Sequence, residues 1–153
     1  MSLPSVGSLA PDFTLRSTTG QEVTLSSFRG RQHVLIAFFP LAFTRVCTAE
    51  LCAFSEDYSK FTEQGAMVLG VSVDSVPTLK VYRAQERITV DLLSDFKRAV
   101  SRSYGVLDEE KFHARRAYVL VDRSGVVRWA RVEEDDGHRR ENGELLAQLE
   151  ALG

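Results

Sequence analysis

The sequence predicts an α/β fold, a mixed central sheet flanked by helices, and three features carry that prediction. Two near-continuous apolar runs, His33 to Phe39 and Met67 to Val73, read as strands buried on both faces. Between them, from Thr44 to Gln64, the residues Leu51, Phe54, Tyr58 and Phe61 recur every three or four positions, which marks one face of a helix. Two later apolar segments, Arg116 to Val121 and Val126 to Val132, are joined by Asp122-Arg123-Ser124-Gly125, a turn sequence that reverses the chain. Strand, helix, strand, helix, then a hairpin and a closing helix is the order of an α/β sandwich around a mixed sheet. The pattern alone leaves a flavodoxin-like sheet open.

Each element has its local reason. Phe13 to Leu15 and Glu22 to Leu25 are short strands around the turn Thr18-Thr19-Gly20. The first long helix ends at Gly65. Pro77 to Gln85 is a second helix, with proline tolerated in its first turn. Leu92 and Leu93 form a short extended piece, and Val100 to Tyr104 a short helix. Leu145, Leu146, Leu149 and Leu152 mark the closing amphipathic helix, and Glu133 to Glu141, of mixed sign, reads as a solvated loop. No repeat, low-complexity tract or linker interrupts the chain, which reads as one domain over residues 1–153.

Composition narrows the function. A chain of 153 residues, 44% hydrophobic and 26% charged, builds one ordinary core. A formal net charge of −2 gives no electrostatic case for nucleic acid or an anionic membrane as partner. No apolar run approaches a membrane span, and Met1 to Ala10 lacks the order of a signal peptide, so a cytoplasmic location is expected. In a compartment that keeps thiols reduced, two cysteines point to catalysis rather than a structural bridge. His33, His113 and His138 have no ligand spacing among themselves or with the cysteines, so neither a metal nor an organic cofactor is expected; His33 reads as a cap on strand entry.

The most informative stretch is PLAFTRVCTAELC, Pro40 to Cys52. A buried strand that turns into a helix at a cysteine places the sulfur near unpaired first-turn amides and the positive end of the helix dipole, both of which favour a thiolate. Thr44, three residues earlier, can turn its hydroxyl to the same point, and Pro40 and Pro11 offer rigid, dry walling. Arg45 reads as a solvated residue near the pocket mouth.

The arrangement Pro-x-x-x-Thr-x-x-Cys at 40, 44 and 47 resembles the active-site signature of the peroxiredoxins, and Thr48 to Cys52 resembles the branch holding the bacterioferritin-comigratory and AhpE types. APDFTL from Ala10, LLSDF from Leu92 and RAYVLVDRSGVVR from Arg116 extend the likeness over most of the chain. The resemblance implies a thioredoxin-like fold carrying an N-terminal hairpin, with Cys47 attacking hydrogen peroxide or a small organic hydroperoxide and becoming a sulfenic acid. Thr44 would donate to the peroxide, and Pro40 would shield the sulfur. A guanidinium is the other expected donor, being permanently charged and forked. Adjacent strand residues face opposite ways, and the apolar run beyond Arg115 and Arg116 does not settle which of them reaches the sulfur. Counting back from the turn as the family does implies Arg116. Glu50, one helical turn after Cys47, is either an exposed carboxylate or, as in this branch, a support for that arginine.

Cys52 is expected to resolve the sulfenic acid. In a helix, five residues separate the two Cα atoms by about 8.6 Å and the side chains by about 140°, beyond disulfide reach, so resolution demands that the helix start unwind. Regeneration would then use a thioredoxin-like donor. The alternative is a one-cysteine enzyme recycled by a low-molecular-weight thiol or a glutaredoxin-like protein. Rivals are a disulfide oxidoreductase, which would want Cys-x-x-Cys, and a non-catalytic redox sensor or holdase. A homodimer is expected, through Phe43 and the loop at Val76 and Pro77.

Overall fold

The computed structural model describes residues 2–152. In chain order the elements are β1 (Thr14–Ser17), β2 (Glu22–Thr24), β3 (His33–Phe38), α1 (Arg45–Glu56), α2 (Tyr58–Glu63), β4 (Ala66–Ser72), α3 (Val76–Gln85), β5 (Asp91–Ser94), α4 (Ala99–Ser103), β6 (Leu107–Asp108), β7 (His113–Ala114), β8 (Ala117–Val121), β9 (Val127–Val132) and α5 (Asn142–Glu150). The main sheet runs β2-β1-β5-β4-β3-β8-β9. β3 pairs parallel with β4, and β4 with β5. Every other pair in it is antiparallel. An antiparallel β8 beside β3 removes the flavodoxin-like alternative, whose strands run one way.

The central strands are buried on both faces, as a continuous apolar run requires. Leu35, Ala37 and Phe39 face α1, α2, α3 and α5, packing with Leu51, Phe54, Phe61, Leu79, Tyr82, Leu145 and Leu149. Val34, Ile36 and Phe38 face the other way, onto Phe13, Leu25, Val100, Tyr104 and Val106. Packing is tightest around Gly70 of β4, where a side chain would collide with Leu92 of β5. A Cβ there would come within 2.8 Å of Leu92 Cδ2 and 3.4 Å of Leu51 Cδ2.

Two local readings need correction, and one short element had no reading. The helix expected over Thr44 to Gln64 bends at Asp57, where φ is −100° and ψ 15°. Asn142 of α5 fills the bend, its amide donating to Ala53 O and to Asp57 Oδ2, both at 2.9 Å. The apolar spacing runs through unbroken, with Phe54 and Phe61 edge to face at 5.6 Å, so periodicity gave no sign of it. Between α4 and β8 the chain forms a two-stranded ribbon, β6 with β7, too short for an alternation signal. Its tip takes Phe112 to a φ of 61° and returns the chain at His113. Finally, the segment after β9 is no freely solvated loop. Glu133 is buried and ion-paired with Arg131 and Arg140 at 3.0 and 2.9 Å, which closes this segment onto the site.

Candidate active site

β3 ends at Phe38, and Phe39 still donates its amide to Val71 O at 2.9 Å before the chain turns at the buried Pro40. The turn is held by Asp74, whose Oδ2 accepts from Ala42 N at 2.8 Å and from Ser72 Oγ at 2.7 Å. Phe43 adopts a φ of 65°, unfavourable for a residue with a Cβ, and packs its ring tilted against Tyr82, centroids 4.8 Å apart. Thr44 is the extended residue before α1, so Cys47 falls in the first helical turn, as the sequence predicts.

Cys47 is buried. Arg116, one residue before β8, donates from Nη2 to its Sγ at 3.1 Å and from Nη1 to Glu50 Oε1 at 2.9 Å. Both Arg116 and Glu50 are only 1% exposed. The parity question is thereby answered. Arg116 shares a face with Tyr118 two residues on, which packs with α1, while Arg115 is exposed. Glu50 is no exposed carboxylate: its Oε2 accepts the Tyr118 hydroxyl in a short hydrogen bond. Behind the guanidinium, Asp136 O accepts from Arg116 Nε at 3.3 Å and Nη2 at 3.1 Å.

The electrostatics follow from burial opposed by partners. Burial pushes the Glu50 carboxyl above its usual range, while Arg116, the Tyr118 hydroxyl and Arg139 pull against it. Burial also works against the Arg116 charge, but the Glu50 carboxylate and then the Cys47 sulfur raise its pKa overall. Tyr118 is pushed up by burial and by Glu50, so its proton stays on the phenol.

Pro40, Leu41, Thr44, Arg45, Val46, Cys47, His113, Arg116, Asp136 and Gly137 line one pocket of about 330 Å³. Five of the eight residues singled out from the sequence as site or mouth residues, Pro40, Thr44, Arg45, Cys47 and Arg116, are in that lining, and Glu50 supports it from beneath. Pro11 is elsewhere, its carbonyl accepting the Tyr104 hydroxyl at 2.6 Å on the other side of the sheet. Thr44 is exposed, and its hydroxyl donates to Leu41 O at 2.7 Å rather than capping the helix. His33 opens β3 with its amide on Gly65 O at 2.9 Å, its ring buried and its pKa lowered by that burial and by Arg123. Sequence reasoning missed His113, Tyr118, Asp136 and Gly137. A tyrosine at an alternate position from Arg116 in an otherwise aliphatic strand was the one usable sign; the other three had none.

Cys52 stands apart from this pocket. α1 is continuous from Arg45 to Glu56, so both cysteines sit in one intact helix. The Cys52 thiol lies 3.9 Å from Glu86 O, in a groove of about 310 Å³ lined also by Ser55, Glu56, Arg87 and Thr89. Burial, Glu86 and Glu56 together push its pKa up.

A cysteine at a helix start, gripped by a buried arginine in a small pocket, can deliver sulfur to an electrophilic oxygen and stabilise the charge that leaves. The AhpC/TSA family model matches residues 6–130. Alkyl hydroperoxide reductase E of Mycobacterium bovis is 43% identical over 132 residues, covering 85% of this chain and 86% of that one. Chloroplastic peroxiredoxin Q of Oryza sativa subsp. japonica is 39% identical over 127 residues, covering 82% of this chain and 58% of its own length. Among solved structures, the reduced 2-Cys peroxiredoxin of Plasmodium vivax superposes with a TM-score of 0.90 at 33% identity, over 97% of this chain and 82% of that one. Peroxidoxin BcpB of Mycobacterium tuberculosis gives 0.86 at 28% identity, covering 97% of each chain. These likenesses identify the sheet and helices as the thioredoxin-like fold of that group, and the chain belongs to the AhpC/TSA family as a peroxiredoxin of the alkyl hydroperoxide reductase E and peroxiredoxin Q branch, a thiol-dependent peroxidase.

Proposed function

We propose that Cys47 is the peroxidatic residue and that the enzyme reduces hydrogen peroxide and small organic hydroperoxides. The single observation that carries this reading is the Arg116 guanidinium 3.1 Å from the Cys47 sulfur inside the pocket. Sulfur attacks one peroxide oxygen as the O–O bond breaks, and the second oxygen leaves as hydroxide or alkoxide and takes up a proton. Negative charge grows on that leaving oxygen, so a fixed cation beside it lowers the barrier more than it tightens substrate binding. Thr44, at the pocket mouth, supplies the second donor by turning its hydroxyl from Leu41 O to the substrate, and Pro40 walls the sulfur from water. The product is a sulfenic acid on Cys47.

For the second half of the cycle, Cys52 attacks the sulfenic sulfur, a disulfide forms and water leaves; a thioredoxin-like dithiol then reduces the disulfide. Closing that bridge requires unwinding α1 between the cysteines. A specific observation favours the other route, in which a low-molecular-weight thiol or glutaredoxin-like protein reduces Cys47 directly: unwinding would draw the buried Glu50 and Leu51 out and break the Glu50–Arg116 pair. One equivalent of peroxide followed by intact mass and thiol titration separates them. Loss of two hydrogens and both thiols supports Cys52; one remaining thiol with one added oxygen supports the one-cysteine route.

The reading places the enzyme in a reducing, cytoplasmic compartment, where such thiols are supplied. No helix among the described residues is long and apolar enough to cross a membrane. It also includes a homodimer formed at the active-site end, where Phe43 is 49% exposed and Pro77 is exposed nearby in sequence to Val76. Light scattering at micromolar concentration returning a monomer mass would remove that part.

A further inference from the structure

Glu50 has each carboxyl oxygen on a different donor. Oε1 takes Arg116 Nη1, and Oε2 takes the Tyr118 hydroxyl. The direction of the second bond follows from the phenol's other contact. Arg140 N donates to the Tyr118 oxygen at 2.9 Å, so the phenolic hydrogen must go elsewhere, and Glu50 Oε2 is the acceptor it reaches. A proton on Oε2 would leave two hydrogens between the same pair of oxygens. Tyr118 is wholly buried, so an orphaned hydroxyl there would be costly.

We propose that Tyr118 is a positioning residue for the peroxidase reaction: its hydroxyl holds Glu50 as a carboxylate, and that carboxylate holds Arg116 Nη2 on the Cys47 sulfur. The groups facing the carboxyl are Arg116 and Tyr118 at β8 and Arg139 from the segment after β9; Cys47, on its own helix, meets it through Arg116. Burial already raises the carboxyl pKa against the pull of Arg116, Tyr118 and Arg139. Removing the phenolic donor leaves the burial and takes away one pull, so the pKa rises further and Glu50 takes up its proton at higher pH. A neutral Glu50 releases the ion pair, and the guanidinium keeps only the Asp136 carbonyl and the sulfur. The effect of losing the hydroxyl therefore grows as pH falls.

The inference rests on Cys47 being the peroxidatic residue. Its test, in a Cys52→Ser background, divides the stopped-flow rate of Cys47 oxidation by hydrogen peroxide by the rate of its alkylation with iodoacetamide. Both reactions need ionised sulfur, so the quotient cancels that ionisation and keeps the polarisation of the leaving oxygen. For Tyr118→Phe the quotient should fall roughly tenfold between about pH 8.5 and about pH 5.5, while that of the parent stays nearly level. Glu50→Gln should be low at every pH, and adding Tyr118→Phe to it should lower it no further. A Tyr118→Phe quotient that runs parallel to the parent's across the range overturns the proposal, as does an additive double variant. Should Tyr118→Phe fail to fold, Glu50→Gln decides alone: a quotient equal to the parent's overturns the role of the carboxylate. Peroxide consumption surviving in Cys47→Ser is a different result and would remove the underlying assignment instead.

Discussion

Cys47 and Cys52 lie five residues apart in one helix and share almost nothing else. The first is buried under a guanidinium, in the turn where helix amides lack partners; the second lies half-buried in a groove, against a carbonyl and between two glutamates. α1 makes part of the difference, through its first-turn amides at Cys47 and Glu56 beside Cys52. The rest comes from what β8 and the segment after β9 bring to one side of the helix, and from what the end of α3 brings to the other.

The largest effect expected from breaking this comparison is loss of the first sulfur. Cys47→Ser should abolish peroxide consumption, to below about a hundredth of the parent rate, with the fold intact by circular dichroism, because no other group replaces the nucleophile. Next is the guanidinium. Arg116→Ala should slow sulfenic acid formation by roughly a hundredfold to a thousandfold, about 2.7 to 4 kcal/mol of barrier, as for one oxyanion donor. Arg115→Ala, one residue away and exposed, should leave the rate within about twofold. The reverse order in stopped-flow fluorescence would show that β8 carries its charge on the wrong face.

A smaller effect sharpens the other half. In Cys47→Ser protein, Cys52 should be alkylated more slowly at neutral pH than an unhindered thiol, because burial and then Glu86 and Glu56 raise its pKa and leave less thiolate. The rate should keep climbing above the pH at which an ordinary thiol levels off. Glu86→Gln should speed it by about twofold to threefold, removing one partly screened charge. A Cys52 that alkylates as fast as a free thiol would contradict the acidic groove. Smallest is the bend at Asp57: Asn142→Ala should lower the melting temperature by about 2 to 4 °C, since one bridging amide is lost.

How far the sequence reaches can be argued from these same residues. Pro40, Thr44 and Cys47 were legible because strand, turn and helix are local events with local signals. The mixed sheet was legible because each of its central strands is apolar on both faces. Parity alone narrowed the arginine only to Arg115 or Arg116, since it depends on what the strand packs against; the family's count back from the turn chose Arg116. Asp136 was read as solvated because its own charges are; the contact that matters is its backbone carbonyl, which no side-chain pattern encodes. The bend at Asp57 was invisible for a related reason: the side chain that fills it comes from α5, 85 residues later.

The hydrogens on Arg116 can be counted. A guanidinium has five. One on Nη1 goes to Glu50, two on Nη2 to Cys47 and Asp136, and the one on Nε to Asp136 again. Among the described residues these contacts leave a single N–H, on Nη1. A buried arginine would ordinarily trap carboxylates and phosphates, which it grips with two parallel bonds. This one has no pair of adjacent free hydrogens to offer, so a carboxylate or phosphate finds no forked hold on it.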